Sequence, residues 1–325
     1  MHDTEFDKPQ IILVAPLNWG LGHASRCIPL IKKWNIEGHR IILSANGEAA
    51  SLLHKEFPAL SFVKLPEWKI RYSSNRSQIF SLLWQLPALL VSNIIEHWKL
   101  RKIVKKYHIS LIVSDNRFGL WHRHIKSIYI THQLMIKVPQ PMQWAEPLLW
   151  KIHHWIIIQY DECWIPDIAS QDNLSGDLSH RYPLPKHAHF IGWLSRFPVD
   201  KRITIKKHYH TLCLISGPEP HRTLLEQSLI YRFQSQNTPT LIVQGKPSIE
   251  QHWQSIGNID IVSHLDTTEM QTYIIDTPDL ICRSGYSTLM DLKVLNKNAT
   301  ELIPTPGQTE QIYLMQWNNP SKKHL

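Results

Sequence analysis

Two short segments near opposite ends of the chain carry the residue types needed to bind an anion. Ile11–Arg26 reads IILVAPLNWGLGHASR, and Ile281–Gln311 reads ICRSGYSTLMDLKVLNKNATELIPTPGQTEQ. In each segment small residues lie between an apolar strand and a helix, so backbone N–H groups at the helix start can bind a phosphate. We therefore predict two binding turns facing one cleft, one for a charged donor and the other for an acceptor.

The first turn contains Gly20, Gly22 and His23. The two glycines permit a tight turn, and a neutral histidine at a helix start can accept a proton as a general base. The alternatives are an inert histidine, a purely structural turn and a dinucleotide-binding fingerprint. The last is disfavoured because Ser25 replaces the third glycine and the acid that would bind a ribose is missing or displaced to Glu48.

The second segment offers a phosphate site followed by an acid. Arg283 is a cation suited to phosphate, and it precedes small or hydroxyl-bearing residues that leave N–H groups available, namely Ser284, Gly285, Ser287 and Thr288. One helical turn further along, Asp291 can accept hydrogen bonds from ribose hydroxyls. The alternative is an ordinary helix start with an exposed aspartate.

Other polar residues follow predicted strands of the C-terminal half. Ser216-Gly217 and Lys246 lie at the carboxyl ends of strands, where open α/β sheets bind ligands. A rigid Pro304–Gly307 loop is followed by side chains that can read hydroxyl groups, namely Gln308, Glu310 and Gln311. A simple turn with a helix cap and a solvent-exposed lysine are the alternatives. The chain has no Asp-x-Asp pair and no metal-ligand spacing, which favours a metal-free mechanism.

Strands and helices must alternate along the chain to position these turns. The first set of predicted strands is Ile11–Ala15, Arg40–Ala45, Leu111–Ser114, Ser127–Ile130 and Glu162–Ile165, with helices at His23–Glu37, Ile79–Lys106 and Met142–Ile158. The second set is Leu212–Ser216, Thr240–Val243, Asp260–Val262, Leu280–Cys282 and Glu301–Ile303, with a helix at His221–Phe233. This alternation predicts doubly wound parallel sheets. We predict an N-terminal domain over 1–195, a linker over 196–210 and a C-terminal domain over 211–325.

Composition narrows the classes of partner. The length of 325 residues and the apolar content of 43% suit two globular domains. The net charge of +8 suits a nucleic acid, an anionic membrane or a phosphorylated substrate. The four cysteines form no CxxC motif, which favours a reducing cytosol over a zinc site or a disulfide scaffold. The acidic, polar start of the chain is unlike a secretion signal.

A basic amphipathic segment, Trp98–Lys106, follows an apolar helix. Its composition suits docking on an anionic bilayer, and a solvated helix face is the alternative. The preceding apolar run, Ile79–Ile95, is interrupted by a proline and several polar residues. We therefore do not predict that it spans a membrane.

Together the two turns resemble a known family. APLNWGLGHASR and CRSGYSTLMDL…PTPGQTEQ resemble the GT-B nucleotide-sugar glycosyltransferases, most nearly the family of the peptidoglycan enzyme that adds N-acetylglucosamine to lipid-linked muramyl-pentapeptide, of the glycosyltransferase family 28 type. The resemblance covers Ile11 to about Tyr313. It implies the α/β GT-B fold, in which two doubly wound Rossmann-like domains face a cleft. The chain departs from the family in three places: the first loop keeps two glycines, Ile312 follows Gln311, and Met315–Leu325 is short where the family has a returning helix.

The resemblance implies an activity and a set of roles. A hexose would move from a nucleoside diphosphate sugar, expected to be UDP-linked, to an acceptor hydroxyl, with inversion and without a metal or cofactor. His23, or Asp115 as second choice, would take the hydroxyl proton. Ser284-Gly285 and Ser287-Thr288 would bind the diphosphate and Asp291 the ribose. Gln311 would contact the sugar, and the backbone at His264-Leu265 would contact the nucleobase.

The expected partners are a nucleotide-sugar donor and a small-molecule or lipid-linked acceptor, with a peripheral membrane contact and no nucleic acid. The expected location is the cytoplasm, including the inner face of the membrane. Two alternatives stay open: a nucleotide-sugar 2-epimerase on the same fold, and a nucleotide-sugar-binding protein that does not turn over.

Overall fold

The computed structural model describes residues 6, 8–66, 78–198, 203–205, 207–248 and 250–319, with the side chains of 78–86 excluded. Two sheets covered by helices account for most of these residues. This arrangement confirms the predicted α/β class with two parallel-dominated sheets.

The first sheet is parallel throughout. Its strands β1 to β7 are Ile11–Pro16, Arg40–Leu43, Ser61–Phe62, Leu111–Asp115, Lys126–Ile130, Glu162–Ile165 and Ala188–Phe190. They lie in the order β3-β2-β1-β4-β5-β6-β7. The helices α1 to α5 are Gly22–Ile36, Gly47–Glu56, Gln78–Tyr107, Glu146–Ile157 and Asp177–His180. The central strands are continuous apolar runs, as expected when helices cover both faces of a sheet.

The second sheet has six strands and one antiparallel edge. Strands β8 to β13 are Thr211–Leu214, Thr240–Val243, Trp253–Ile256, Ile259–Val262, Asp279–Cys282 and Glu301–Leu302. They lie in the order β10-β11-β9-β8-β12-β13. Helices α6 to α9 are His221–Phe233, Thr267–Asp276, Tyr286–Val294 and Thr309–Trp317. The start of α8 follows β12 directly, so the second predicted binding turn lies at the carboxyl edge of this sheet.

Some predicted elements differ from the structure. The segment predicted to be helical over Met142–Ile158 is a 3-10 helix over Gln140–Ala145 followed by α4. Pro147 lies in the first turn of α4, where its missing N–H and fixed φ suit a helix start. The sequence analysis did not predict α2, α5, α7, β3, β7 and β10. The start of α7 carries a capping box between Asp266 and Glu269, a signal that could have revealed it.

Helices of the second sheet also pack against the first. Leu314 of α9 belongs to the same buried cluster as the apolar face of α1. Three residues of α8 belong to it as well, namely Tyr286, Leu289 and Met290. Near the end of α9, Trp317 Nε1 donates to the carbonyl of Asn173 at 3.2 Å. The segment expected to lack a returning helix therefore includes the end of α9, which reaches the first sheet and its helices α1 to α5, called here the first unit. The second sheet and helices α6 to α9 are called the second unit. Residues 320–325 lie outside the described part. No helix of the described residues is long and apolar enough to cross a membrane.

Candidate active site

The carboxyl end of β4 lies beside the start of α1. Pro16 of β1 and Asp115 of β4 are register partners in parallel strands, so both strands end at the same edge. Gly20 then turns the chain at a φ of +82°, a left-handed conformation that favours glycine. This turn places His23 in the first turn of α1, where its Nδ1 lies 2.6 Å from Oδ1 of Asp115.

Asp115 is fully buried and engaged on both oxygens. Arg26 donates from Nε to Oδ2 and from Nη2 to Oδ1, each at 2.5 Å. Burial pushes the pKa of Asp115 up, but the charge of Arg26 and the neighbouring His23 outweigh it and hold the pKa at about 2. The carboxylate is therefore an acceptor for His23 and is poorly suited to the second-choice role of general base.

The hydrogen bond to Asp115 determines which nitrogen of His23 can act. Because an ionised carboxylate can only accept, Nδ1–H of His23 must donate to it, and Nε2 keeps its lone pair. The side chain of His23 is 13% exposed, so it is not sealed from solvent as Asp115 is. The arrangement is that of a base held in one tautomer by a buried carboxylate.

The cluster continues into the second unit through His132. Arg26 donates from Nη1 to Nδ1 of His132 at 2.9 Å, so the proton of a neutral His132 must be on Nε2. That Nε2 lies 2.7 Å from Oε1 of Glu310 at the start of α9. Burial lowers the pKa of His132, against an opposing effect of Glu310. The ring of His132 also stacks on Tyr286 of α8, with ring centroids 4.0 Å apart.

Sequence reasoning missed Arg26 and His132 as members of this cluster. Arg26 follows His23 by three residues, so the two share a face of α1. His132 comes two residues after β5, whose end pairs with Asp115 through Ile130. The shared helix face and the shared sheet edge were the available signals.

The two predicted binding turns contact each other. Ser287 of α8 donates from Oγ to the carbonyl of Gly22 at 3.1 Å. Gly285 precedes α8 as its N-cap, and Thr288 lies in its first turn. Ser284 donates its hydroxyl to the carbonyl of Gln311 at 2.8 Å. The structure therefore brings the start of α8 and the glycine turn together at the cleft.

Arg283 differs from its predicted role as a phosphate ligand. Its guanidinium is buried, donating to the carbonyl of Pro304 at 3.0 Å and to that of His221 at 2.8 Å. Burial lowers the pKa of Arg283 to about 10. Since backbone carbonyls occupy the terminal nitrogens, the guanidinium holds the loop after β13 against the start of α6. These contacts do not favour the predicted role at a diphosphate, which stays a prediction.

Asp291 lies at the junction between the linker and α8. Ser195 donates its hydroxyl to Oδ1 of Asp291 at 2.6 Å. Burial raises the pKa of Asp291 to about 6, and Arg196 and Ser195 oppose that rise. The carboxyl group therefore lies in an environment that resists ionisation, as ligand-binding acids often do.

Gln308 and Gln311, the glutamines predicted to bind sugar hydroxyls, are hydrogen-bonded to each other. Gln311 donates from Nε2 to Oε1 of Gln308 at 2.6 Å and accepts at Oε1 from the backbone N–H of Thr305 at 2.8 Å. These bonds order the loop that precedes α9. Glu310, between them, instead turns to His132.

A pocket lies where α2 meets the second sheet. His264 and Leu265 line it together with Lys55, Gly245 and residues of both units, including Leu21, Leu52, Glu56, Arg196, Val243, Pro247, Asp266 and Met270. Lys55 Nζ lies 2.7 Å from Nε2 of His264 and 2.5 Å from Asp266. The pocket therefore lies next to the two residues predicted to meet a nucleobase.

The remaining predicted donor residues lie outside the lining of this pocket. Gly217 follows β8 with a φ of +105°, beside Ser216. Lys246 Nζ lies 3.7 Å from Glu226. Arg222 of α6 and Glu48 of α2 form an ion pair at 2.7 Å, which joins the second unit to the first. In the described part of the chain, no three His, Cys, Asp or Glu side chains are grouped so as to hold a metal ion.

Comparisons with known proteins bear on the fold. No family model matches the sequence, and no curated protein matches it. Solved structures do match over 94–95% of this chain. The glycotransferase of kitacinnamycin is 12% identical, with 84% of its chain covered and a TM-score of 0.58. Spinosyn rhamnosyltransferase SpnG, complexed with thymidine diphosphate, is 12% identical, with 84% covered and a TM-score of 0.57. MurG of Acinetobacter baumannii is 10% identical, with 82% covered and a TM-score of 0.51. These similarities show that the chain has the GT-B fold.

Proposed function

We propose that this chain is a glycosyltransferase that moves a hexose from a nucleoside diphosphate sugar to an acceptor hydroxyl. The observation that carries the proposal is the pair formed by His23 and Asp115, which lies beside the start of α8. A base of fixed tautomer opposite a set of helix-terminal N–H groups suits proton removal from an acceptor and departure of an anion. The GT-B fold is compatible with this chemistry, although a fold alone does not imply it.

The reaction would be a single displacement. Nε2 of His23 takes the proton of the acceptor hydroxyl, whose oxygen forms a bond to the anomeric carbon of the sugar. The bond from that carbon to the diphosphate oxygen breaks, and the diphosphate leaves with the electron pair. N–H groups at the start of α8, between Ser284 and Thr288, stabilise the new charge without a metal. One displacement inverts the configuration of the anomeric carbon.

The donor would lie along the second unit. A pyrimidine nucleotide, which we propose is UDP, would place its base against the backbone of His264-Leu265 and its ribose near Asp291. The pocket beside α2 and the partly buried position of Asp291 support this placement. The sugar would lie near Gln308 and Gln311, with Ser216-Gly217 and Lys246 on the same side of the cleft. No nicotinamide or other cofactor is needed in this scheme.

The acceptor would be amphiphilic, and α3 would bring the protein to the surface of an anionic bilayer. One face of α3 carries large apolar side chains that are each at least 44% exposed, namely Leu90, Val91, Ile94, Ile95 and Trp98. Beyond them lie exposed cations, namely Lys99, Arg101, Lys102, Lys105 and Lys106. Apolar side chains next to cations are complementary to an anionic interface.

Sedimentation with vesicles tests this contact. The wild-type protein should bind vesicles that contain anionic lipid more strongly than neutral vesicles, and Trp98→Gln should reduce that binding. Trp253→Gln is the matched control, because Trp253 is 48% exposed on β10 of the other unit. Equal loss of binding in both variants, or no preference for anionic lipid, would contradict the membrane contact.

A panel of nucleoside diphosphate sugars tests the activity itself. Sugar transfer to small and lipid-linked acceptors is measured separately from donor hydrolysis and from donor epimerisation. We expect His23→Gln to reduce transfer by ~10²–10⁴-fold, the range for a lost general base, with donor affinity little changed. The control is His210→Gln, since the His210 side chain is 54% exposed and pairs with Asp279 at the surface. Epimerisation without transfer, or binding without turnover, would contradict the proposal.

A further inference from the structure

Glu310 belongs to the second unit but completes a buried charge cluster in the first. The connection runs from His23 to Asp115, from Asp115 to Arg26, from Arg26 to His132 and from His132 to Glu310, in contacts of 2.5–2.9 Å. Asp115 and Arg26 are buried, and the side chain of Glu310 is 32% exposed. The geometry therefore joins the proposed base to an acid on the opposite side of the cleft.

The cluster contains one cation, Arg26, and two carboxylates, Asp115 and Glu310. Arg26 neutralises Asp115, and its Nη2 lies only 3.0 Å from Nδ1 of His23. With both imidazoles neutral, Glu310 leaves the cluster with one net negative charge. When His23 gains a proton, the cluster becomes neutral.

We infer that Glu310 is a positioning residue that acts through His132 and Arg26 to make His23 an effective base when the two units are together. The inference rests on the proposed function, because it concerns the base of that reaction. It also assigns Glu310 a role different from reading a sugar hydroxyl. The lowered pKa of Glu310, which His132, His23 and Arg26 produce against the effect of burial, agrees with the charge coupling.

The other groups around His23 do not supply this negative charge. Cys27 contacts Asp115 through its sulfur at 3.6 Å, and burial raises the pKa of the Cys27 thiol well above its usual range, which keeps the thiol neutral. Tyr286 stacks on His132, and burial likewise keeps its hydroxyl neutral at ordinary pH. Asp167 is a further buried carboxylate that couples to Tyr286, but its oxygens accept from the backbone N–H groups of Ile168, Leu174 and Ser175. Apart from Asp115, Glu310 is therefore the carboxylate that the described side-chain hydrogen bonds join to His23 through His132 and Arg26.

The first test measures kcat against pH. In Glu310→Gln the imidazolium form of His23 loses a stabilising charge, so the acidic limb of the kcat profile should move to lower pH. We expect the limb to shift by about one pH unit and the plateau kcat to fall by less than that factor of ten, because a weaker base removes the proton less readily. The control is Glu301→Gln, which alters an exposed ion pair with Arg232.

A second measurement separates this inference from the proposed function. Imidazole titration by NMR in the unliganded protein needs no activity, and His23→Gln identifies the His23 resonances. The His23 signal should titrate at lower pH in Glu310→Gln than in wild type, even if no sugar nucleotide is ever turned over. An unmoved titration together with an unmoved acidic limb would overturn the inference. A raised donor KM without either shift would instead show that Glu310 reads the donor.

Discussion

The hydroxyl of Ser287 donates to the carbonyl of Gly22 at 3.1 Å, so the starts of α8 and α1 touch across the cleft. A Cβ added at Gly22 would lie 2.7 Å from Oγ and 3.1 Å from Cβ of Ser287. The glycine is therefore required by its neighbour in the other unit, because its own φ is one that any residue can adopt within a helix. The contact between the two helix starts therefore lies at the proposed phosphate site.

This contact gives a first prediction. Gly22→Ala should weaken donor binding by about 1–3 kcal/mol, the usual cost of overpacking, because the added Cβ would push the two helix starts apart. Calorimetry with a nucleoside diphosphate measures the change. In the Ser287→Gly background, Gly22→Ala should cost much less donor affinity, because the clashing side chain is absent. If the double variant instead loses as much affinity as the two single variants added together, the steric argument is wrong.

A second prediction concerns Asp115 and acid stability. Its pKa in the folded protein is about 2 against an ordinary value of 3.8, so the carboxylate stabilises the fold above pH 3.8 and loses that effect as pH falls towards 2. The difference corresponds to about 2 kcal/mol at pH 7. Asp115→Asn also leaves Arg26 buried and unpaired, which adds to the loss. Denaturant unfolding should show a large deficit at pH 7 that narrows below pH 4.

Asp291 should behave in the opposite way. Its folded pKa of about 6 exceeds the ordinary 3.8, so ionisation costs stability as pH rises from about 4 to above 6. Asp291→Asn should therefore raise the thermal midpoint at pH 8 relative to wild type, with little effect at pH 4. The same variant should weaken the preference for ribonucleotides over 2′-deoxyribonucleotides if Asp291 binds ribose hydroxyls. Asp276→Asn, at an exposed position on α7, is the control.

Arg283 should be a stability residue more than a ligand. Arg283→Ala removes hydrogen bonds to the carbonyls of Pro304 and His221 and empties a buried volume. We expect a loss of about 3 kcal/mol in the free energy of unfolding, typical of a broken buried network. The extra stability conferred by saturating UDP should stay nearly constant. Arg232→Ala, in an exposed pair, should cost far less. A normal unfolding midpoint with lost UDP binding would restore the phosphate role.

Transfer should continue in the presence of a chelator. The proposed leaving-group stabilisation comes from N–H groups at the start of α8, which need no divalent ion. Activity measured in excess EDTA should therefore match that in buffer alone. Loss of transfer in EDTA, with recovery on adding Mg²⁺ or Mn²⁺, would show that a metal ion supplies the stabilisation instead.

The sequence was most informative where the structure is local. The turn around Gly20 and the helix start after β12 are each encoded within a few consecutive residues, so pattern and residue type sufficed to predict them. The partners of Asp115 could not be predicted so directly, because strand order brings His132 to it and domain packing brings Glu310. The contacts of Arg283 could not be predicted for the same reason, since the carbonyls that bind it belong to Pro304 and His221, which are distant in the sequence.

The charge cluster that spans the cleft has a consequence for how this sequence can vary. Its members come from α1, β4, the loop after β5 and α9, and removing either Asp115 or Arg26 leaves the other buried without compensation. Effects of substitutions at these two positions should therefore be strongly non-additive. Sequence change at Asp115 and Arg26 would have to proceed through paired exchanges, whereas Glu310 can change alone without leaving a buried charge unpaired.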